Sequence, residues 1–81
     1  MGTRDYEHFK REVNSGKSVT YIKLRDFRIL ENDFYSRREF TEPRNVTINN
    51  DKTISFDVEN WTTFKSQTVT VKPSEIELFS F

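Results

Sequence analysis

The residues of this chain best suited to binding chemistry are cations interleaved with aromatic rings in its middle third. The cations are Lys23, Arg25, Arg28, Arg37, Arg38 and Arg44, and the rings among them are Phe34, Tyr35 and Phe40. Positive charge attracts phosphate and a flat ring stacks on a base, so the pattern is suited to single-stranded nucleic acid. Acidic residues interrupt the same stretch, namely Asp26, Glu31, Asp33, Glu39 and Glu42. Cross-strand ion pairs on an exposed sheet face, or an arginine-containing protein interface, are therefore the alternatives.

Trp61 is the only tryptophan, and it follows a turn predicted at Glu59-Asn60. Tryptophan and arginine are enriched at the hot spots of protein interfaces. The alternative is that Trp61 fills the core, since the chain has few aliphatic residues and tryptophan is the largest apolar side chain. The predicted binding surface consists of Trp61 together with Arg25, Arg28, Tyr35, Arg37, Arg38 and Arg44.

Catalytic and metal-binding patterns are weak. His8 is the only histidine and lies off the apolar stripe of the predicted helix, which favours an exposed side chain over a general base. Asp57 and Glu59 supply two carboxylates, fewer oxygen ligands than Mg²⁺ or Ca²⁺ takes. There is no cysteine and no glycine-rich phosphate loop. The sequence therefore predicts a non-enzymatic protein without a cofactor or metal.

Charge and hydropathy indicate in which cellular environment the protein is expected. The 13 basic and 13 acidic residues give zero net charge, so no bulk field draws the chain to nucleic acid or to an anionic membrane. The first twelve residues are mostly polar and charged, unlike a signal peptide, and no apolar run approaches the length of a membrane span. We expect a soluble, cytoplasmic protein without a membrane partner.

Hydrophobic periodicity predicts one domain over residues 1–81, with an N-terminal helix followed by short strands. The helix is expected at about 3–14, and the strands at about 18–30, 34–41, 45–49, 53–58, 67–72 and 76–79. The last strand ends in aromatic residues. This predicts either docking of the segment in the core or an edge strand through which a second copy pairs to form a homo-oligomer.

The helix has recognisable ends and one apolar face. Thr3 is the expected N-cap, and Gly16 supplies the expected C-terminal stop. Tyr6, Phe9 and Val13 recur at helical spacing and form a single stripe. A helix this short is marginal alone, so the stripe is expected to dock on the strands.

The first strand changes phase at Arg25-Asp26, where a bulge is favoured over a turn because this dipeptide is uncommon in two-residue hairpin loops. The predicted fold is therefore α+β. One N-terminal helix packs on a five- to six-stranded, mainly antiparallel, strongly bent sheet or small partly open barrel. The element order is SH3-like or Sm-like, although the paired Sm motifs are not visible.

Two functional hypotheses follow. The first is a non-catalytic module that binds an unidentified protein, as an accessory or inhibitor protein of a bacterium or phage. Its scarcity of Ala, Gly and Pro beside many Asn, Lys, Ile and Phe is typical of AT-rich genomes. The alternative is a small β-barrel that binds single-stranded RNA or DNA through its arginines and aromatic rings.

Overall fold

An N-terminal helix and six strands form the regular structure of the chain. The computed structural model describes every residue from Met1 to Phe81. Helix α1 spans Thr3–Asn14. The strands are β1 (Tyr21–Ile29), β2 (Ser36–Thr41), β3 (Arg44–Ile48), β4 (Ile54–Glu59), β5 (Ser66–Val71) and β6 (Ile76–Ser80), with a 3-10 turn at Pro73–Glu75. The α+β class, the N-terminal helix and the antiparallel strands are confirmed.

The strands form two separate three-stranded antiparallel sheets. The first sheet has the order β2-β1-β6 and the second has the order β3-β4-β5. Only Glu42 and Pro43 separate β2 from β3. Glu42 has a left-handed backbone with φ of 51°, and Pro43 has no N–H to donate to a ladder, so pairing is interrupted here. The prediction of one continuous bent sheet is thus corrected to two sheets, which do not close into a barrel.

β1 is one long strand with an irregularity in its pairing. The register with β2 shifts between Lys23 and Arg28, and this segment contains the Arg25-Asp26 step. The predicted bulge within a single strand is confirmed. Apolar residues of β1 before the shift face the core, whereas Phe27 after it is exposed. Ile29 is exposed as well, so the irregularity does not turn the apolar residues of this half of β1 towards the core.

The helix docks as its apolar stripe predicts. Tyr6 and Phe9 are buried, and Val13 packs against the core while partly exposed. The ring of Phe9 contacts Phe79 of β6 edge-to-face, with 4.9 Å between centroids, and lies 5.8 Å from the ring of Phe81. The C-terminal segment is thus docked against the helix. β6 is also an edge strand of the first sheet.

The two ends of the helix differ from the sequence prediction at one point. Gly2 occupies the N-cap position that was predicted for Thr3, and no side chain caps the first turn. The stop at Gly16 is confirmed. Gly16 has φ of 94°, and the N–H of Lys17 donates to the carbonyl of Glu12 at 3.1 Å. This 6→1 hydrogen bond closes the helix as a Schellman motif does. The single α-helix, with its 12 mostly polar residues, is not one that could cross a membrane.

The core lies between the helix and the two sheets. It consists of buried side chains from α1 and most of the strands: Tyr6, Phe9, Val19, Ile22, Leu24, Leu30, Phe40, Ile54, Phe56, Val58, Val69, Val71 and Ile76. Phe40 of β2 meets Phe56 of β4 with 5.3 Å between ring centroids. This contact joins the first sheet to the second.

Candidate functional site

The arginines of the predicted binding surface do not form one cationic face. Arg28 donates to the carbonyl of Thr70 at 3.0 Å and to the carboxylate of Glu75 at 3.2 Å. It therefore ties β1 to β5 and to the 3-10 turn. The half-buried side chain of Arg28 thus crosses from the first sheet to the second.

Three further arginines also contact groups within the chain. Arg25 donates to the carbonyl of Ser74 at 3.0 Å, and Arg44 donates to the hydroxyl of Ser66 at 3.2 Å. The guanidinium of Arg38 lies 5.1 Å from the centre of the Phe27 ring. These contacts fix the cations at separate places, so the structure does not collect them around one ligand.

Arg37, Tyr35 and Trp61 are the three predicted residues that the structure brings together. The Arg37 guanidinium lies 4.3 Å from the centre of the Trp61 ring, and the Tyr35 and Trp61 centroids are 6.2 Å apart. Arg37 is only 7% exposed and donates from Nη2 to the carbonyl of Glu59. Burial lowers the pKa of Arg37, and the nearby carboxylates of Asp33 and Glu59 oppose this shift. The Nε of Arg37 has no hydrogen-bond partner.

Asp33 joins the two loops that carry these rings. Its carboxylate accepts from the N–H of Tyr35 at 3.1 Å, from the N–H of Trp61 at 3.2 Å and from the hydroxyl of Thr62 at 2.7 Å. The residue is buried. The β1–β2 loop of the first sheet is therefore held against the β4–β5 loop of the second.

Ionisation of Asp33 is favoured in the folded protein. Burial raises the pKa of its carboxyl, but the bonds from Thr62, Tyr35 and Trp61 and the charge of Arg37 outweigh burial and leave the pKa lowered. Because the folded-state pKa is lowered, the ionised carboxyl of Asp33 stabilises the fold in full above the unfolded-state pKa of about 3.9. It is lost as the pH falls through the folded-state pKa.

We expect Asp33→Asn to lower the melting temperature at pH 7, and the difference from wild type to shrink as the pH falls through the folded-state pKa of Asp33. The amide cannot reproduce a carboxylate that accepts three hydrogen bonds, whereas below that pKa the wild-type carboxyl is itself neutral. Thermal unfolding of both proteins from pH 7 to pH 3 measures this difference. Asp26→Asn is the control, because Asp26 is exposed and should change little. A wild-type advantage that did not shrink with falling pH would contradict the role of Asp33.

Asn60 fixes the β4–β5 loop from inside. Its Oδ1 accepts from the N–H groups of Thr62 at 2.8 Å and Thr63 at 3.0 Å. Its Nδ2 donates to the carbonyl of Glu31 and to Oε1 of Gln67, both at 3.0 Å. The side chain is fully buried. Three of these bonds fix the β4–β5 loop and the start of β5, and the bond to Glu31 holds this loop against the β1–β2 loop.

Four aromatic side chains project from these two loops, and we name this set the aromatic end. They are Phe34 (88% exposed), Tyr35 (55%), Trp61 (48%) and Phe64 (74%). Trp61 is therefore not the core residue that was the alternative interpretation. The N–H of Phe34 donates to the hydroxyl of Thr62 at 3.0 Å, a further bond between the loops.

The backbone of Phe64 is in an unfavourable conformation. Its φ is 61°, in the left-handed region that costs an L-residue roughly 1–2 kcal/mol. The ring is exposed and offsets little of that cost by burial. Strained residues of this kind are concentrated at functional sites. Asparagine would satisfy the backbone better, so the phenylalanine is not explained by folding.

A groove begins beside Trp61 and follows the boundary between β2 and β4. We name it the seam groove, and its volume is about 370 Å³. Trp61 supplies the one indole of the lining. The charged side chains of the lining are Arg37, Glu39, Glu42, Arg44 and Glu59. The groove and the aromatic end share Trp61, so the two form one continuous surface.

The other candidates for chemistry lie apart. His8 is exposed on the helix, and its ring is 6.4 Å from that of Phe79 and 6.2 Å from that of Phe81. The carboxylate of Asp57 accepts from Thr68 at 2.6 Å and from Asn45 at 2.9 Å, which lowers its pKa. No three His, Asp or Glu side chains gather so as to hold a metal ion.

Sequence reasoning did not identify Asp33, Asn60 or Phe64 as parts of a site, and it named Phe34 only among the rings between the cations, outside the predicted binding surface. A local signal exists for Asn60, because an Asn side chain readily bonds to the backbone two residues further on and so closes a turn, here at Thr62. The bonds of Asp33 to Trp61 and Thr62 join distant parts of the sequence, and no local pattern reveals them. Comparison of the chain with protein-family models, with curated proteins and with solved structures finds no match.

Proposed function

We propose that the protein is a small non-catalytic binding module that recognises a partner protein through the aromatic end. The observation that supports this most is the exposure of four large rings on two loops held in place by buried polar groups. Exposed aromatic groups of this density are typical of interaction sites. The protein would act in the cytoplasm as an accessory or inhibitor protein.

The rigidity of the loops supports recognition of a protein. Binding is weakened when loops must be ordered in the complex, and fixed aromatic side chains reduce that loss. Here Asp33 and Asn60 order both loops before a partner arrives. Phe64 supports the same conclusion, because its exposed ring is retained on a strained backbone.

The nucleic-acid alternative has less support from the geometry. A nucleic-acid site requires cations free to reach phosphates. Arg28 and Arg37 instead bind groups within the chain, and Arg37 is buried beneath Trp61. Arg38 lies over Phe27 at another place on the first sheet.

The test is capture of a partner from cells that contain the protein, with variants Phe34→Ser and Phe64→Asn. We expect each to reduce capture of a specific protein about tenfold or more, as loss of a hot-spot side chain does. We expect Phe64→Asn also to raise the free energy of unfolding by roughly 0.5–1 kcal/mol, because asparagine tolerates a left-handed backbone. Quantitative mass spectrometry and urea unfolding measure the two effects.

Ile29→Thr is the matched control, because Ile29 is an equally exposed apolar residue outside the aromatic end. It should leave capture unchanged. Equal capture by wild type and by both aromatic variants would contradict the proposal. Salt-dependent binding to mixed oligonucleotides that is lost in an Arg37→Ala/Arg38→Ala variant would favour the nucleic-acid alternative instead.

A further inference from the structure

The seam groove carries acidic groups that form no salt bridge within the chain. The structure contains three salt bridges, Lys17–Glu12, Lys23–Glu77 and Arg28–Glu75. None of them involves Glu39, Glu42 or Glu59, all of which are exposed and line the groove. Three exposed carboxylates thus lie together at one place without a salt bridge.

The cations of the groove neutralise these carboxylates only in part. Arg37 is buried beneath the indole, and its charge is shared between the buried carboxylate of Asp33 and that of Glu59. Arg44 is the one exposed cation, and its guanidinium donates to the hydroxyl of Ser66. The charged lining of the groove therefore has three carboxylates against two guanidinium groups, one of them buried, although the whole chain is neutral.

The groove also contains a donor without an acceptor. The Nε of Arg37 is buried and unpartnered, which is unfavourable by roughly 1–3 kcal/mol for a polar group. The Trp61 ring lies over the guanidinium at 4.3 Å. The acceptor that this N–H lacks can be a carbonyl oxygen. A neutral carbonyl is favoured there over an anion, because three carboxylates line the same groove.

A single ligand can satisfy both the exposed carboxylates of the groove and the unpartnered Nε of Arg37. We infer that the seam groove receives an extended basic segment of the partner, an inference that rests on the binding function proposed above. A Lys or Arg side chain of the segment lies against Glu42 and Glu59. A backbone carbonyl of the segment accepts from the Nε of Arg37. The aromatic end then packs on the neighbouring apolar surface of the same partner.

Trp61 reports on occupancy of the groove, since it is the only tryptophan. The probe is an acetylated and amidated hexapeptide of alternating Gly and Arg, titrated into the whole chain while Trp61 emission is followed. We expect a saturable change with this peptide and none with the alternating Gly and Glu counterpart. A Glu42→Gln/Glu59→Gln variant should bind the basic peptide about fivefold to tenfold more weakly.

The control variant Asp5→Asn/Glu7→Gln changes the net charge by the same amount, but on the exposed face of the helix. It should bind the basic peptide within about twofold of wild type, because charges beyond a Debye length are screened. Equal weakening in both variants, or equal binding of the acidic peptide, would overturn the basic-segment inference. No saturation by the basic peptide, with capture still dependent on Phe34 and Phe64, would overturn this inference and leave the binding function intact.

Discussion

Phe9→Ala is expected to lower the free energy of unfolding by about 3–5 kcal/mol, the usual range for loss of a buried phenylalanine. The side chain is completely buried at the centre of the helix face. Its removal opens a cavity beside Phe79 and Phe81, whose rings it now contacts. A domain of this size has a free energy of unfolding of roughly 5–15 kcal/mol or less, so this loss is a large part of its total stability.

Urea unfolding followed by circular dichroism measures this effect. Phe34→Ala is the matched control, because it removes the same atoms from a ring that is 88% exposed. We expect that control to change the free energy of unfolding by less than about 0.5 kcal/mol. Similar losses in the two variants would show that Phe9 does not anchor the helix as the structure indicates.

Asn60→Asp is expected to lower the free energy of unfolding by about 2–4 kcal/mol at pH 7, the range for a disrupted buried polar network. The substitution keeps the shape of the side chain and replaces Nδ2 by an oxygen. That oxygen would face the carbonyl of Glu31 and Oε1 of Gln67, two acceptors that now receive hydrogen bonds. Two donors are lost and a buried negative charge is introduced.

Asn50→Asp makes the same chemical change at an exposed position in the turn between β3 and β4. We expect it to leave the free energy of unfolding nearly unchanged, so chemical denaturation of the two variants separates burial from charge. Asn60→Asp should also shift Trp61 emission in the folded state, because the neighbouring loop loses its internal support. A folded variant of wild-type stability would contradict the role assigned to the Asn60 amide.

Much of the fold was predictable because its signals are local. Gly16 permits the left-handed backbone that ends the helix, and the spacing of Tyr6 and Phe9 identifies the buried face. The phase change near Arg25 predicted the bulge in β1. The division into two sheets was not predictable, because it depends on which distant strands pair. Pro43 marks a break between two strands, but the sequence does not show which strands pair on either side of that break.

The site was only partly predictable, for the same physical reason. Trp61, Tyr35 and Arg37 were predicted from residue type, and the structure places them in contact. Arg28 has the same residue type as Arg37, but it donates to the carbonyl of Thr70 in the other sheet. An arginine read as a free cation can therefore be a cross-link between sheets. Residue type alone does not separate these two outcomes.

The pairing of β1 with β6 determines the order in which the two sheets can form during folding. The second sheet consists of consecutive strands joined by short loops, so it can form early and locally during refolding or synthesis on the ribosome. The first sheet cannot be completed in this way, since Tyr21 has to find Ser80 near the other end of the sequence. Until then Ile22 and its apolar neighbours have an open edge, and closing it is the slow step we expect in folding.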